Sequence, residues 1–191
     1  MMKSLLFIPL VFVLVLIACD YKEIEPNMSE KVEDFEFITQ DNEKFSLKDL
    51  AGEWWIANFM YTNCTQVCPT MIPNMSSVQN KLQDLNLNAK IVSFSVDPNY
   101  DTPPVLREYV EEYGVDLSTW TFLTDYEFSD IKRLSENSFK TSLDKGSSGE
   151  TEFAHSTGFF LVDPHGKVIK RYDGLATQDI KLIIEDLKKV L

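Results

Sequence analysis

The residues of this sequence best suited to chemistry are two closely spaced cysteines. Cys64 and Cys68 lie four positions apart in the stretch Tyr61–Pro69, where an apolar segment gives way to a predicted helix. Side chains four apart at a helix start face the same side, and the free N–H groups of the first turn favour thiolate over thiol. A pair of thiolates can be oxidised to a disulfide or can bind a soft metal.

The spacing of the cysteines excludes two familiar uses of such a pair. Thioredoxin-type oxidoreductases place two residues between their cysteines, whereas Cys64 and Cys68 are separated by three. A peroxiredoxin needs Pro-x-x-x-Thr/Ser-x-x-Cys, and residues 59–63 do not supply it. A permanent disulfide is an alternative in an oxidising compartment, but a bridge across so short a loop removes little unfolded-state entropy.

The N-terminus predicts export and lipid anchoring. Lys3 precedes a charge-free, largely apolar run over residues 5–17, which suits a secretory signal and is short for a membrane span of about 20 residues. A transmembrane anchor is the alternative. The run ends in Leu-Ile-Ala-Cys19, which resembles a bacterial lipobox and implies a signal peptide over 1–18, with diacylglyceryl and acyl groups on Cys19. We therefore expect the protein on the outer face of the bacterial cytoplasmic membrane.

The rest of the chain predicts one domain behind an acidic tether. Residues 19–33 are polar and acidic, which predicts a solvated, lipid-bearing tether, and residues 34–191 are long enough for one sizeable core. The formal net charge is −12, which excludes a nucleic-acid partner. Solubility near the membrane, or a basic patch on a partner protein, accounts for the acidity.

Apolar periodicity predicts the elements that must position the cysteines. Two βαβ-like units, an antiparallel hairpin and a last helix predict an α/β protein of thioredoxin-like fold. Its central mixed sheet has helices on both faces and follows an N-terminal β-hairpin. The predicted elements are the hairpin 35–45, strands 54–61, 91–96, 120–123, 157–162 and 168–172, helices 68–85, 103–113, 130–139 and 177–190, and a Gly/Ser-rich loop 141–151.

Several motifs occur along the chain in one order. After the lipid signal come Cys64-x-x-x-Cys68-Pro69, then Asp97-Pro98-x-x-Asp101-Thr102-Pro103, then Phe153-Ala154-His155-Ser156 before a strand. In this combination the chain resembles the Sco/SenC family of copper chaperones over about residues 34–191. One departure is that the family commonly has Pro-Asp after the first cysteine, where this chain has Thr65-Gln66. Any role of that Asp does not carry over.

The resemblance implies a copper site made by Cys64, Cys68 and His155, holding Cu(I) or Cu(II). It also implies a partner, the copper A subunit of cytochrome c oxidase, whose dinuclear centre the family helps to assemble. Two thiolates and an imidazole are soft to borderline donors that suit copper. Zinc is the alternative, although three ligands leave a structural zinc site one short.

Other potential ligands have competing structural interpretations. Asp97 follows a strand beside the cysteine strand, so it is either a neighbour of the metal or partner site or a turn-forming residue before Pro98. His165 lies in a predicted hairpin turn and is expected to be solvated. Met71 and Met75 follow the cysteines at helical spacing and are expected to pack in the core rather than to bind metal.

Three functions are compatible with these residues. The first is a metallochaperone, which is not an enzyme. The second is a thiol–disulfide reductase for the cysteines of the acceptor, with Cys64 or Cys68 as the attacking thiolate. The third is a redox sensor that switches between a disulfide and a metal-bound state.

Overall fold

The computed structural model describes residues 24–146 and 153–191. The predicted signal peptide and Cys19 lie outside these residues, as do residues 147–151 of the predicted loop. Across the described part of the chain, no helix combines the length and the apolar character that crossing a membrane requires.

The described residues form ten strands, one 3-10 helix and four α-helices. A short 3-10 helix, Leu47–Leu50, follows the first hairpin and begins with a capping box between Ser46 and Asp49. The strands are β1 (Glu30–Lys31), β2 (Glu36–Thr39), β3 (Lys44–Ser46), β4 (Trp54–Met60), β5 (Ala89–Ser95), β6 (Trp120–Thr124), β7 (Asp144–Lys145), β8 (Phe153–Ala154), β9 (Gly158–Val162) and β10 (Lys167–Asp173). The helices are α1 (Cys68–Asp84), α2 (Pro103–Glu112), α3 (Phe128–Ser138) and α4 (Thr177–Leu187).

A mixed eight-stranded sheet organises the molecule. Its strand order is β1-β10-β9-β4-β5-β6-β2-β3, with β4, β5 and β6 parallel and β9 antiparallel to β4. Right-handed crossovers from β4 through β5 to β6 place α1 and α2 on one face. Helix α4 packs against α1 and β10, while Phe139, which follows α3, contacts Trp55 and Phe59. The predicted thioredoxin-like mixed sheet is confirmed.

Strand β4 is central because its sequence is apolar on both sides. All its residues after Trp54 are buried, and β5 beside it is nearly as buried. A strand covered on both faces has no solvent-facing position for polar side chains. Because β5 is parallel and β9 antiparallel to β4, the turns after β4 and β5 and the segment that leads into β9 lie at one edge of the sheet.

Most element boundaries differ by one to three residues from the sequence-based expectation. Helix α3 begins at Phe128 rather than at residue 130. The predicted loop 141–151 contains β7, which pairs with β8 to form a small two-stranded sheet apart from the main one. The pairing partner of β7 is β8, which lies downstream of the loop, so the Gly/Ser-rich composition of the loop does not reveal the pairing.

The predicted solvated tether is wrong for residues 24–33. Ile24 and Val32 are buried, and β1 pairs with β10 through Glu30 and Lys31. The amide of Asn27 also bonds to the backbone of β10. The acidic composition of this segment does not reveal that Ile24 and Val32 are buried or that β1 pairs with the edge of β10. The folded domain therefore includes residues 24–33.

Candidate metal centre

The two cysteines lie on a tight turn between β4 and α1. The backbone N–H of Cys64 donates to the carbonyl of Tyr61 at 3.3 Å, and α1 begins only at Cys68, with Pro69 in its first turn. Proline is tolerated there because the first N–H groups of a helix have no intrahelical acceptor. Cys64 thus precedes the helix instead of lying on its face, and its sulfur accepts the N–H of Cys68 at 3.4 Å.

The histidine reaches the cysteines from the segment that leads into the neighbouring antiparallel strand. His155 lies between β8 and β9, and β9 pairs with β4. Its Nε2 lies 3.9 Å from the sulfur of Cys64 and 3.7 Å from that of Cys68. The ligand atoms of the three residues all lie within 4.8 Å of one another.

A hydrogen bond from Nδ1 of His155 leaves its Nε2 directed at the cysteines. Its Nδ1 lies 3.0 Å from the backbone carbonyl of Ser156. A carbonyl oxygen only accepts hydrogen bonds, so this contact requires the proton to be on Nδ1. The lone pair of Nε2 then faces the two sulfurs, which is the tautomer that a metal-binding imidazole needs.

The donor spacing fits a single three-coordinate ion. Because zinc–sulfur and zinc–nitrogen bonds are about 2.0 to 2.3 Å long, three such donors spaced evenly around one ion lie about 3.5 to 4.0 Å apart. The two sulfur–nitrogen separations, 3.9 and 3.7 Å, fall in this range. Two sulfurs and one imidazole favour a soft ion, and copper meets that preference better than zinc.

Hydrogen bonding makes the two cysteines chemically unequal. The bond from the Cys68 side chain, together with bonds from the backbone N–H groups of Cys68 and Gln66, lowers the pKa of Cys64. The same bond to Cys64, together with burial, raises the pKa of Cys68. Neither Cys64 nor Cys68 forms a disulfide. The arrangement therefore favours the thiolate form of Cys64 and the protonated form of Cys68.

A buried carboxylate holds the turn that carries Cys64. Asp101 accepts hydrogen bonds from the backbone N–H of Thr62 at 3.2 Å, from the hydroxyl of Thr62 at 2.5 Å and from the hydroxyl of Ser95 at 2.6 Å. Burial raises the pKa of Asp101 to about 6, although these hydrogen bonds oppose the shift. Sequence reasoning quoted Asp101 within a motif but assigned it no role; the available signal was an acidic residue shortly after a buried strand at the site edge.

Aromatic residues border the centre. The ring of Tyr61 meets that of His155 edge-on at 5.6 Å, and Phe153 packs against Tyr61 at 5.3 Å. Burial is the main cause that raises the pKa of Tyr61 to about 12. A cavity of about 280 Å³ opens beside Cys64 and His155. The centre is thus shielded on one side and reachable from the other.

The remaining candidates lie outside the group of three. The backbone carbonyl of Asp97 accepts from Tyr100 and Asp101, which is the turn-forming arrangement, and burial raises the pKa of its carboxyl group. A role for Asp97 beside a metal stays a prediction. His165 lies in the turn between β9 and β10. Met71 and Met75 are fully buried in the core.

Comparison with known proteins decides the family. Residues 24–191 match the family described as SCO1/SenC. The chain belongs to the SCO1/SenC family. A curated relative, the SCO1 protein homolog of Bacillus subtilis (strain 168), is 40% identical over 175 residues, which cover 92% of this chain and 90% of the relative.

Solved structures of this family share the fold. A SCO1/SenC family lipoprotein from Bacillus anthracis str. Ames is 38% identical, with a TM-score of 0.83 over 88% of this chain and 98% of the other. BsSco, described as having a disulfide switch and as a member of the Sco family of cytochrome c oxidase assembly proteins, is 38% identical, with a TM-score of 0.78 over 87% and 96%. Arabidopsis thaliana ScoI, solved with copper bound, is 24% identical, with a TM-score of 0.69 over 83% and 96%.

Proposed function

We propose that this SCO1/SenC family member is a copper-binding metallochaperone for the copper A centre of cytochrome c oxidase. The observation that carries the proposal is the convergence of two cysteine sulfurs and one imidazole nitrogen within 4.8 Å. The same fold holds copper in a solved relative, and a relative at 38% identity is described as belonging to a family of oxidase assembly proteins.

The charge state of the residues suits copper uptake. Cys64 supplies one thiolate, and His155 supplies a neutral nitrogen held in place by its bond to the carbonyl of Ser156. Cys68 loses its proton when its sulfur becomes a ligand, so uptake of one Cu(I) ion releases one proton. The Cu(I)-loaded centre then carries a net charge of −1. Delivery reverses this step, because the proton returns to Cys68 as the ion leaves for the acceptor.

Copper titration tests the proposal. The reduced chain is titrated with Cu(II) and with Cu(I), and we expect one ion per chain, with a thiolate-to-copper charge-transfer band for Cu(II). Cys64→Ala, Cys68→Ala and His155→Ala should each lose this band and lower the affinity. His165→Ala is the matched control, since His165 lies in a distant turn. Full affinity and an unchanged spectrum in His155→Ala would overturn the three-ligand site.

Transfer tests the proposed acceptor. The copper-loaded chain is mixed with the reduced, copper-free soluble domain of the copper A subunit, and we expect the absorption of the assembled copper A centre to appear. The chain with Cys68→Ala should not produce it at the same copper concentration. If the loaded wild-type chain transfers no copper, the proposed acceptor is wrong while the copper site still stands.

A thiol–disulfide reductase is the second candidate. It is favoured by the pairing of a Cys64 thiolate with a Cys68 thiol in one free dithiol. Such a pair could reduce an acceptor disulfide and become a disulfide itself, through attack by Cys64 and resolution by Cys68. Oxidase assembly in a His155→Ala strain with excess copper separates the candidates, since near-normal assembly would favour thiol exchange over copper delivery.

We further propose that the protein is a lipoprotein on the outer face of the bacterial cytoplasmic membrane. The Leu-Ile-Ala-Cys19 sequence after an apolar run supports this placement. Several acyl chains on Cys19 would give durable anchoring, where one chain would not. The domain and its acceptor would then be confined to the same membrane surface.

A further inference from the structure

A second cavity is lined in part by a residue that is close in sequence to the metal centre. Thr157, two residues after His155, lines a cavity of about 490 Å³ together with Arg171 of β10 and Lys140 just after α3. Phe139 and Met28 contribute apolar surface to it. The cavity thus combines apolar surface with two cationic side chains, in a chain whose net charge is −12.

The guanidinium of Arg171 is held in place. Its Nη2 lies 3.4 Å from the hydroxyl of Ser156, and its central carbon lies 5.9 Å from the centre of the Phe160 ring. A Cβ atom at Gly158 would lie 2.8 Å from its Nε, so the glycine leaves the space that the side chain occupies. Asn27 fixes the backbone of Arg171 through two hydrogen bonds.

The two cations are not neutralised by neighbours within the described ranges. Across residues 24–146 and 153–191, no carboxylate oxygen lies within 4.0 Å of the charged nitrogens of Arg171 or Lys140. Asp173 also lines the cavity, but its Oδ1 accepts from the N–H of Leu175 and from the hydroxyl of Thr157. Arginine has five donors, and the bond to Ser156 uses one of them.

We infer that this cavity receives a carboxylate side chain of the protein that docks over the metal centre to take its copper. A planar guanidinium matches a carboxylate through two parallel hydrogen bonds, and the wall made by Phe139 and Met28 suits the methylene groups of Glu or Asp. Thr157 lies two residues after His155 in the chain, so an acceptor that contacts His155 reaches the segment that lines this cavity. The inference rests on the proposed function, because it assigns a recognition element to the proposed acceptor.

Binding of the proposed acceptor tests the inference. The probe is the soluble copper A domain of the host oxidase, and the copper-loaded, full-length chain is held in nanodiscs of neutral phosphatidylcholine. Arg171→Gln should weaken binding about tenfold, since a charge-assisted pair is lost, and should reduce the dependence of affinity on salt. Lys140→Gln should act in the same direction with a smaller effect, because a lysine is a single point charge.

Matched variants separate a local pair from the general effect of charge. Arg107→Gln and Lys44→Gln make the same changes in charge at surface positions where the cation pairs with Asp41 or Glu36. Both should stay within about twofold of wild type, because exposed charges away from an interface contribute little. Lys140 is exposed, so Lys140→Gln keeps the test valid if Arg171→Gln disturbs the Cu(II) charge-transfer band.

The outcomes distinguish the inference from the function on which it rests. If the wild-type chain does not bind the copper A domain, the proposed acceptor is wrong and the assignment of the cavity falls with it. If wild type binds but Arg171→Gln and Lys140→Gln bind equally tightly and with the same salt dependence, the function stands and the inference is overturned. If Arg171→Gln and Lys140→Gln lost binding to vesicles of anionic phosphatidylglycerol but bound the copper A domain as wild type does, the carboxylate assignment would be overturned in favour of a phosphate.

Discussion

At the metal centre, one shared proton distinguishes two residues of the same type. Cys64 accepts a hydrogen bond from Cys68 and lies beside backbone N–H groups, which lowers its pKa, while burial and the same bond raise the pKa of Cys68. The bond from His155 to the carbonyl of Ser156 selects the tautomer that leaves Nε2 free. The centre therefore has one donor already charged, one neutral donor in position and one donor that must lose a proton.

Asp101→Asn is expected to change how stability depends on pH. The pKa of Asp101 is raised from 3.8 to about 6 in the folded protein. Folding thus strengthens proton binding, so the stability that this group contributes is present below about pH 4 and lost as pH rises through about 6. The free energy of unfolding of wild type should fall relative to that of the variant by about 1 to 3 kcal/mol between about pH 4 and about pH 7.

Urea unfolding of the reduced, metal-free proteins measures this difference. Asp34→Asn is the control, because Asp34 is an exposed carboxylate away from the cysteine turn. It should give the same pH dependence as wild type. A difference between Asp101→Asn and wild type that stays constant over this range would show that the buried carboxyl group does not titrate there.

Residue-level reasoning from the sequence reached the ligand candidates but not their supports. The spacing of Cys64 and Cys68 singles them out, and the motif around His155 singles out the third residue. The contacts of Asp101 with Thr62 and Ser95 join segments that are far apart in sequence, so no local pattern contains them. The inequality of the two thiols likewise depends on how the turn folds.

At the scale of elements, three segments must meet for the centre to form. The turn after β4 carries Cys64, the start of α1 carries Cys68, and the segment before β9 carries His155. Antiparallel pairing of β9 with β4 fixes how close that segment comes. A second contact supports it, because the backbone N–H of Gly174, just after β10, donates to the carbonyl of Thr157 at 2.8 Å.

Gly174→Ala should therefore disturb the metal centre from outside it. A Cβ atom at Gly174 would lie 2.5 Å from the carbonyl oxygen of Thr157, and a backbone atom cannot rotate away. We expect the segment carrying His155 to shift, stability to fall by about 1 to 3 kcal/mol, and copper affinity to decrease. Chemical denaturation and competition with a Cu(I) chelator measure the two effects.

Gly166→Ala serves as the control for lost stability alone. Gly166 has a φ of +76° in the turn between β9 and β10, and a Cβ atom there meets no neighbour within 4 Å. Backbone strain should cost about 1 kcal/mol, without a change in copper affinity. If Gly174→Ala and Gly166→Ala bind copper equally well, the contact between Gly174 and Thr157 does not position His155.

The order of the main elements was predictable, whereas the pairing of short ones was not. Continuous apolar runs identify β4 and β5, and helical spacing after Cys68 identifies α1. Strands β7 and β8 have two residues each and gain their identity only from pairing with one another. Such pairing depends on three-dimensional proximity, which local composition does not report.

At the scale of the whole molecule, the sheet edge near the N-terminus is closed by the chain itself. Residues 24–33 run along β10, bury Ile24 and Val32, and hydrogen bond through Asn27. Acidic composition predicted a solvated tether because it averages over the few apolar residues that pack. Ile24, which is buried, lies five positions after Cys19 in the sequence, so a lipid anchor on Cys19 would keep the domain close to the membrane.

Removal of this segment tests where the domain begins. A chain that begins at residue 34 should have a free energy of unfolding about 2 to 4 kcal/mol lower than a chain that begins at residue 24, because two buried apolar side chains are lost. Urea unfolding of the two proteins gives the comparison. Equal stability would mean that residues 24–33 pack on the domain without stabilising it.

Cys19→Ser tests the proposed anchor. Without the lipid-bearing thiol we expect the protein to leave the membrane fraction, while the copper stoichiometry of the purified protein stays at one. Fractionation of cells followed by immunoblotting measures the distribution. Retention of the variant in the membrane after a carbonate wash would favour the transmembrane alternative for residues 5–17.

The coordination of copper in the loaded protein is the most direct test of the three-residue copper site. X-ray absorption at the copper edge of the reduced, Cu(I)-loaded chain should show two sulfur ligands and one imidazole nitrogen. The imidazole signal should vanish in His155→Ala, and one sulfur should be lost in Cys68→Ala. A wild-type spectrum without imidazole, or with a single sulfur, would contradict a copper ion held by Cys64, Cys68 and His155.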